Sequence, residues 1–470
     1  DAQAMAALLG DAGFAVDRHL NLTRGQMAKA IEDFGRAIAA PDCEMAFFYY
    51  AGHAAQLDWR NYLLPVDGDV ASASDVRRQC IDLATVLGQL GKSPGRVGVI
   101  VIDACRDDPF GGRYRPSLKG LSQYDAPPGT LLAFATAPGR VSIEVAGARH
   151  GLYTEHLLRE LAIKGVRIED ALKRVRLAVR VASRGAQIPW ESTSLEKDVY
   201  LFAPPQLSEA QLESQFRAEL EMWNRIKGSQ DIDAWSNYLR QYPNGKFAEI
   251  GQIRVARLLS ERERRIIKVA VPTAGLRLGP GLAVPDRLNT PESPNSAGSY
   301  AFEPVWTVGD EYVYDNLDLY SGVRQQRRTF KVLKVEIPAD RVTLSNGLLL
   351  DLSGAVARGE GREFDVPLQL NPAQLQIGRR WSIRFIQSGS SHGVGEYELR
   401  VVGRERVTVP AGTFSAFRIE ASGWFIGSGA TTAARLRTTR WLVPGLNLEV
   451  RRERAQFGDA RVLVSAQQRA

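Results

Sequence analysis

The sequence predicts an α/β domain with a mostly parallel sheet flanked by helices, followed by a small helical module and a C-terminal antiparallel β domain. Three observations carry this reading. Short, continuously apolar runs alternate with amphipathic helical patterns over the first two hundred or so residues. A wholly helical stretch follows, and then short strand-like runs separated by Gly and Pro turns. The length of 470 residues is too great for one ordinary core.

In the first part (1–204), Ala2, Met5, Leu8 and Leu9 recur at helical spacing. Thr23 is placed to cap a second helix with Met27, Ile31, Phe34 and Ile38 along one face. The runs 45–50, 97–102 and 131–136 are apolar and bounded by turns, as expected of strands buried on both faces of a parallel sheet. Helices are predicted over 152–163 and 168–182, and short runs at 188–190 and 199–202 close the domain. In the second part (205–265), Leu212, Phe216, Leu220, Trp223 and Ile226 share a helical face. Trp235, Tyr238 and Leu239 mark a second helix that breaks at Tyr242-Pro-Asn-Gly245, and a third runs over 247–259. This is one tetratricopeptide-like unit, and a single copy does not support a solenoid. Residues 266–305 are rich in Pro, Gly, Ser and Asn and read as a linker. The last part (306–470) holds strand-like runs at 312–314, 330–335, 381–385, 397–402, 417–419 and 448–450. Val407 to Phe414 fits a strand, a tight turn and a new strand.

Composition narrows the function classes. Hydrophobic residues make up 44% and charged residues 24%, ordinary for a globular protein. No apolar run approaches the roughly 18 residues of a membrane-spanning helix, so no transmembrane segment is expected. The net charge of +7 is spread along the chain and no nucleic-acid motif accompanies it. Cys43, Cys80 and Cys105 are too few and too scattered for a disulfide framework or a metal site, so each is weighed singly.

Cys105 is the one with chemical context. It follows Ile100-Val-Ile-Asp-Ala, and His53 follows Phe47-Phe-Tyr-Tyr-Ala-Gly, so both stand just past a buried-strand pattern. Strand ends of a parallel sheet share the edge where open α/β sheets place their ligands. On neighbouring strands, the imidazole and the thiol would meet across one crevice. A free thiol has a pKa of about 8.5, and a nearby imidazolium favours the attacking thiolate. Cys43 and Cys80 read as small buried hydrophobes. His150 and His156 are rival bases, the latter inside a helix; His19 and His392 have no supporting context.

Tyr-Tyr-Ala-Gly-His53 and Asp103-Ala-Cys105-Arg, 52 positions apart, resemble the caspase, paracaspase and metacaspase superfamily. Asn61-Tyr-Leu-Leu-Pro-Val-Asp67, Ala133-Phe-Ala-Thr-Ala-Pro-Gly139 and Tyr153-Thr-Glu-His-Leu-Leu158 extend the match over residues 1 to about 203, in the same order and closest to bacterial members. The resemblance implies a caspase-like cysteine endopeptidase acting on proteins or peptides. Cys105 would be the nucleophile, His53 the general acid and base, and the backbone N–H groups of Ala54 and Cys105 the oxyanion hole. Family members usually have Gly where this chain has Ala54, which keeps an inactive scaffold as the alternative. Caspases that cut after Asp carry Gln two residues before the nucleophile; paracaspases and metacaspases, which cut after Arg or Lys, carry Asp. This chain has Asp103, and the family's second pocket acid matches Asp1, so cleavage after Arg or Lys is expected, with Glu144 a third candidate for the pocket wall. Asp103 also reads as a turn former or helix cap, and Asp1 as an N-cap. Arg113, Arg115 and Lys119 lie in the loop after the cysteine as candidate self-processing sites; a solvated substrate-binding loop is the other reading. No metal or cofactor is expected. Some metacaspases need calcium, but Asp67, Asp69, Asp107 and Asp108 lack EF-hand spacing. The helical and β modules are expected to contact protein partners or the envelope, and an extracytoplasmic place, periplasmic or secreted, is favoured over a cytoplasmic one. The strand that the family sets before its first helix is expected upstream of Asp1.

Overall fold

Val97, Val99 and Val101 alternate with Ile100, Ile102 and Ala104, so a strand built from them needs cover on both faces. A computed structural model of the chain shows that cover. It describes all residues except 94, 106–120, 123, 137–148, 204–207, 244, 267–275, 286–287, 289–295, 303, 338, 447 and 470, with the backbone alone at 105 and 260–266. The chain divides into two compact units, Asp1–Leu207 with Ser293–Gly298, and Ser208–Glu292 with Ser299–Ala470.

The first unit runs α1 (Ala2–Asp11), α2 (Arg24–Ile38), β1 (Met45–Leu57), β2 (Arg60–Leu63), α3 (Ala73–Gln79), β3 (Ile81–Asp82), α4 (Leu83–Gly91), β4 (Val97–Cys105), β5 (Thr130–Phe134), α5 (Leu152–Leu161), α6 (Ile168–Ala182) and β6 (Trp190–Thr193). Its sheet has the order β3-β2-β1-β4-β5-β6. Only β1, β4 and β5 are mutually parallel; β2, β3 and β6 join antiparallel. The expected mostly parallel sheet is therefore corrected to a mixed one. The physical reason is visible at Asp58 and Trp59, whose φ of 48° and 63° make a two-residue turn. A turn that short reverses the chain, whereas a parallel neighbour needs a long crossover. Apolar runs report burial, which both strand directions share.

Val97, Val99 and Val101 pack with Met5 and Leu9 of α1, Leu157 of α5 and Val175 of α6. Ile100, Ile102 and Ala104 pack on the other face with Ile31 and Ile38 of α2 and Val86 and Leu90 of α4. The entry to α2 is a capping box in which Thr23 and Gln26 satisfy each other's backbone N–H groups.

The second unit opens with α7 (Glu209–Ile226), α8 (Ile232–Gln241) and α9 (Ala248–Ile266), gathered around Trp223, Trp235, Tyr238 and Phe247. Its strands are β7 (Leu276–Leu278), β8 (Tyr300–Ala301), β9 (Glu311–Asp318), β10 (Arg324–Glu336), β11 (Arg341–Leu344), β12 (Leu349–Leu350), β13 (Val356–Gly359), β14 (Arg362–Leu368), β15 (Gln374–Leu375), β16 (Arg380–Gly389), β17 (Gly393–Val409), β18 (Gly412–Gly427), β19 (Ala434–Val443), β20 (Leu448–Arg454) and β21 (Asp459–Gln468). The order β20-β19-β18-β17-β16-β14-β13-β12-β11-β10-β9-β21 closes on itself because β20 also pairs with β21. The result is an antiparallel barrel of twelve strands, with β7 added at the end of β21 and β8 paired separately with β15. β7 and β8 fall inside the segment read as linker. Among the described residues, no helix is long and apolar enough to cross a membrane.

Several ion pairs join the helices of this unit to its barrel, and one of them is buried on both sides. Glu249 of α9 accepts from Arg379 Nη2 through both oxygens at 3.0 Å, and from the Ala373 N–H at 2.5 Å, with the two side chains 2% and 5% exposed. Arg379→Met leaves the Glu249 carboxylate buried without its cation. We expect a loss of about 3–5 kcal/mol. It is measured by urea titration of tryptophan fluorescence, since six of the eight tryptophans lie in this unit.

Candidate active site

β1 is longer than its sheet neighbours. Its first nine residues pair in parallel with β4, from Met45↔Val97 to His53↔Cys105, and its last four turn to pair with β2. The two candidate catalytic residues are thus register partners on adjacent strands, at the end of the paired segment. The His53 side chain is exposed. Its backbone is fixed by two donors: Tyr50 Oη reaches the His53 carbonyl at 2.7 Å and the Leu64 N–H reaches it at 2.9 Å. Gly52 makes this possible, because a Cβ there would stand 2.7 Å from Tyr50 Oη. Ala54 is 1% exposed and packs with Leu63 and Ile81. It pairs with Leu63 in regular strand and is not among the positive-φ residues, so no glycine conformation is required at that position.

A second cluster forms where Asp103 meets the starts of α1 and α5. Asp103 is 6% exposed, inside β4, and acts neither in a turn nor as a cap. The Thr154 hydroxyl donates to its Oδ2, and Thr154 Oγ1 in turn lies 2.6 Å from Tyr49 Oη. Burial pushes the Asp103 carboxyl above the usual carboxylate range, and the Thr154 hydrogen bond pulls against it. Asp1 occupies the N-cap position of α1 but makes no capping bond; its Oδ1 lies 2.9 Å from His150 Nδ1. Burial, with the charge of Arg149, holds the His150 imidazole below its usual value. Gly151 caps α5 between the two acids. A Cβ built on it would lie 3.7 Å from Asp1 Oδ2 and 3.7 Å from Asp103 Oδ2. The two carboxylate oxygens are therefore no further apart than twice that distance. They converge at the positive end of α5, where a negative charge is favoured.

Such a pair of acids suits a cationic side chain. The structure brings together His53 with the Cys105 backbone, and Asp1 with Asp103. Glu144, Arg113, Arg115 and Lys119 lie outside the described residues, as does the Cys105 side chain. His156 sits in α5 with Nδ1 2.9 Å from Arg159 Nη2. Tyr49, Thr154 and Gly151 were not singled out from sequence, although Thr154 lies within the Tyr153–Leu158 motif. Asn61 belongs with them. Completely buried, it exchanges two hydrogen bonds with the Ser122 backbone, at 2.6 and 2.9 Å, and so fixes Ser122 to β2.

The second unit contains a cavity of about 430 Å³ between its helices and barrel, lined by Trp223, Arg254, Asp340, Asp351, Arg358 and Phe364 among others. None of its lining residues is Cys, Ser or His, so it offers no comparable nucleophile. Among the described residues, no three His, Cys, Asp or Glu side chains are grouped to hold a metal ion.

Residues 1–200 match the peptidase C14 family model, described as the caspase domain. No curated protein matches the chain. Among solved structures, it is similar to caspase-1 from Spodoptera frugiperda, at 18% identity over 44% of this chain and 81% of that one, with a TM-score of 0.32. It is also similar to a putative lipoprotein from Parabacteroides distasonis, at 14% identity over 36% of this chain and 98% of that one, with a TM-score of 0.23.

Proposed function

We propose that the chain is a cysteine endopeptidase that cleaves proteins or peptides after Arg, and less readily after Lys; the match of residues 1–200 to the caspase domain model of peptidase family C14 supports the peptidase reading. The observation that carries the specificity is the convergence of Asp1 and Asp103 beside Gly151. A guanidinium offers a planar fork of donors to two carboxylates and keeps its charge at any working pH. The nucleophile assignment is supported by the His53↔Cys105 register.

In the proposed reaction, Cys105 Sγ attacks the scissile carbonyl as the thiolate. The tetrahedral oxyanion is held by the N–H groups of Ala54 and Cys105. The C–N bond breaks as His53 passes a proton to the leaving amine. His53 then takes a proton from water, which attacks the thioester and releases the acid and the thiol. No step needs a metal or cofactor. Arg113, Arg115 and Lys119 supply candidate self-cleavage sites for the same pocket.

The test is hydrolysis of fluorogenic peptides that differ only in ending with Arg, Lys or Asp. We expect turnover of the Arg peptide first and the Lys peptide second. Turnover confined to the Asp peptide keeps the peptidase and removes the acidic pocket. No turnover of any of them, with or without calcium, removes the peptidase.

A further inference from the structure

We propose that the bore of the barrel binds a phosphate-bearing ligand on a row of three arginines, Arg440, Arg452 and Arg461. Directly paired residues of antiparallel strands carry their side chains on the same face. The register sets Arg440 of β19 opposite Arg452 of β20, Arg452 opposite Arg461 of β21, and Arg461 opposite Asn316 of β9. Three guanidinium groups thus stand abreast on three neighbouring strands. Their face is the inner one, since Arg461 lies over the rings of Tyr314 and Phe330, both part of the barrel core, at 5.9 and 5.5 Å.

Like charges directly opposite one another destabilise a sheet, and the neighbouring acids offset only part of this row. Arg440 Nε donates to Glu449 at 2.5 Å, and Arg452 lies 3.8 Å from the same carboxylate. Arg454 is taken up by Asp459. Arg328 of β10 and Arg362 of β14 share Glu360, at 2.6 and 2.8 Å. Glu360 stands just after β13, so its bond to Arg328 ties the β13–β14 turn to β10. Arg461 donates to Asn316 at 3.1 Å and has no ion pair among the described residues. Six arginines therefore meet four carboxylates, Glu449, Asp459, Glu360 and Asp318, the last set opposite Asp459 by the register. Electrostatics agree with the geometry: burial and the charges of Arg461, Arg454 and Arg440 push the Arg452 guanidinium down to about 10, in spite of Glu449.

The excess positive charge suits a phosphate monoester or a diphosphate, whose oxygens accept from guanidinium forks two at a time. The Tyr314 and Phe330 rings form an apolar floor under Arg461. The phosphate could belong to a water-soluble molecule or to a lipid headgroup. Both are tested by calorimetric titration of the full chain with inorganic pyrophosphate, with glycerol phosphate, and with phosphatidate vesicles against phosphatidylcholine vesicles. Two variants are compared, Arg461→Gln and Arg452→Lys; the second keeps the charge and changes only the fork. We expect binding that each variant weakens at least about tenfold, a difference of about 1.4 kcal/mol. Such loss with the soluble probes identifies a free phosphate compound; such loss with phosphatidate vesicles alone identifies a lipid headgroup. Binding of no probe, or binding that both variants retain, overturns the proposal. Without ligand, Arg461→Gln should also raise the thermal midpoint, because it relieves the like-charge row.

Discussion

Replacing Cys105 with Ala is expected to lower turnover of an Arg-ending peptide by at least about 10⁴-fold, to the level left by binding and the oxyanion hole alone. The size follows from the mechanism. In the proposed mechanism the sulfur forms the covalent bond, and no other group assigned to the site could replace it: His53 is given the role of base, and Asp1 and Asp103 that of the specificity pocket. A large fall could also come from misfolding, so the thermal midpoint and near-ultraviolet spectrum are measured beside it. Both should be unchanged, since the Ala backbone fits the same register position opposite His53. Alkylation gives an independent reading. Burial pushes the Cys80 thiol up to about 11, so at neutral pH it stays protonated and unreactive. Cys43 is partly buried, with its sulfur 3.7 Å from the Met45 carbonyl. Iodoacetamide should therefore consume one fast-reacting thiol in the wild-type chain and none in Cys105→Ala, with inactivation tracking that single modification. A fast thiol that survives the substitution, or activity that survives it, rejects Cys105 as nucleophile.

What could be read in advance depended on whether the signal was local. His53 and Cys105 were legible because each follows an apolar strand run, and because the spacing and flanking residues match a known pattern. The helix face of Met27, Ile31, Phe34 and Ile38 was legible because periodicity reports burial directly, and all four pack in one core. Strand direction was not legible. β2 (Arg60–Leu63) and β6 (Trp190–Thr193) are short and mix polar with apolar residues, so no hydrophobic pattern states their direction, and only connection length does. Barrel closure was hidden for a similar reason: it rests on four residue pairs between β20 and β21, from Arg451↔Val462 to Arg454↔Asp459, whose side chains are largely charged. A hydrophobicity pattern passes over such a pairing. The arginine row was invisible too, because Arg440, Arg452 and Arg461 are spread through a basic segment and become neighbours only once the register is known. Tyr50 and Gly52 lay inside a recognised motif, yet their work, a phenol lying along a missing Cβ to hold the His53 carbonyl, depends on distances.

Asp103→Asn should separate specificity from stability, because the same burial acts on both. For an Arg-ending peptide, kcat/KM should fall by about 10²–10³-fold, the range for removing one partner of a buried charge pair. A neutral peptide should lose far less, since the amide keeps the shape and can still accept from Thr154. The pH profile carries the diagnosis. The wild-type carboxyl titrates above its ordinary value because it is buried, and only the ionised form attracts the guanidinium. Activity toward Arg should therefore rise with pH through that raised value, and this limb should be missing in Asp103→Asn. Stability runs the other way. With the folded pKa above the unfolded value of about 3.9, the folded chain holds the proton more tightly, so the carboxyl favours folding at low pH. That advantage is lost as pH rises from the unfolded value through the folded one. Above the raised value the wild type carries an ionised carboxylate in a dry site and the variant does not, so there the variant should melt at a higher temperature, with the gap closing as pH falls through that value. This is the expected trade between a stable fold and a charged site held ready for a ligand. If Arg and neutral peptides lose activity equally, Asp103 is a structural acid, and its approach to Asp1 has no part in choosing the substrate.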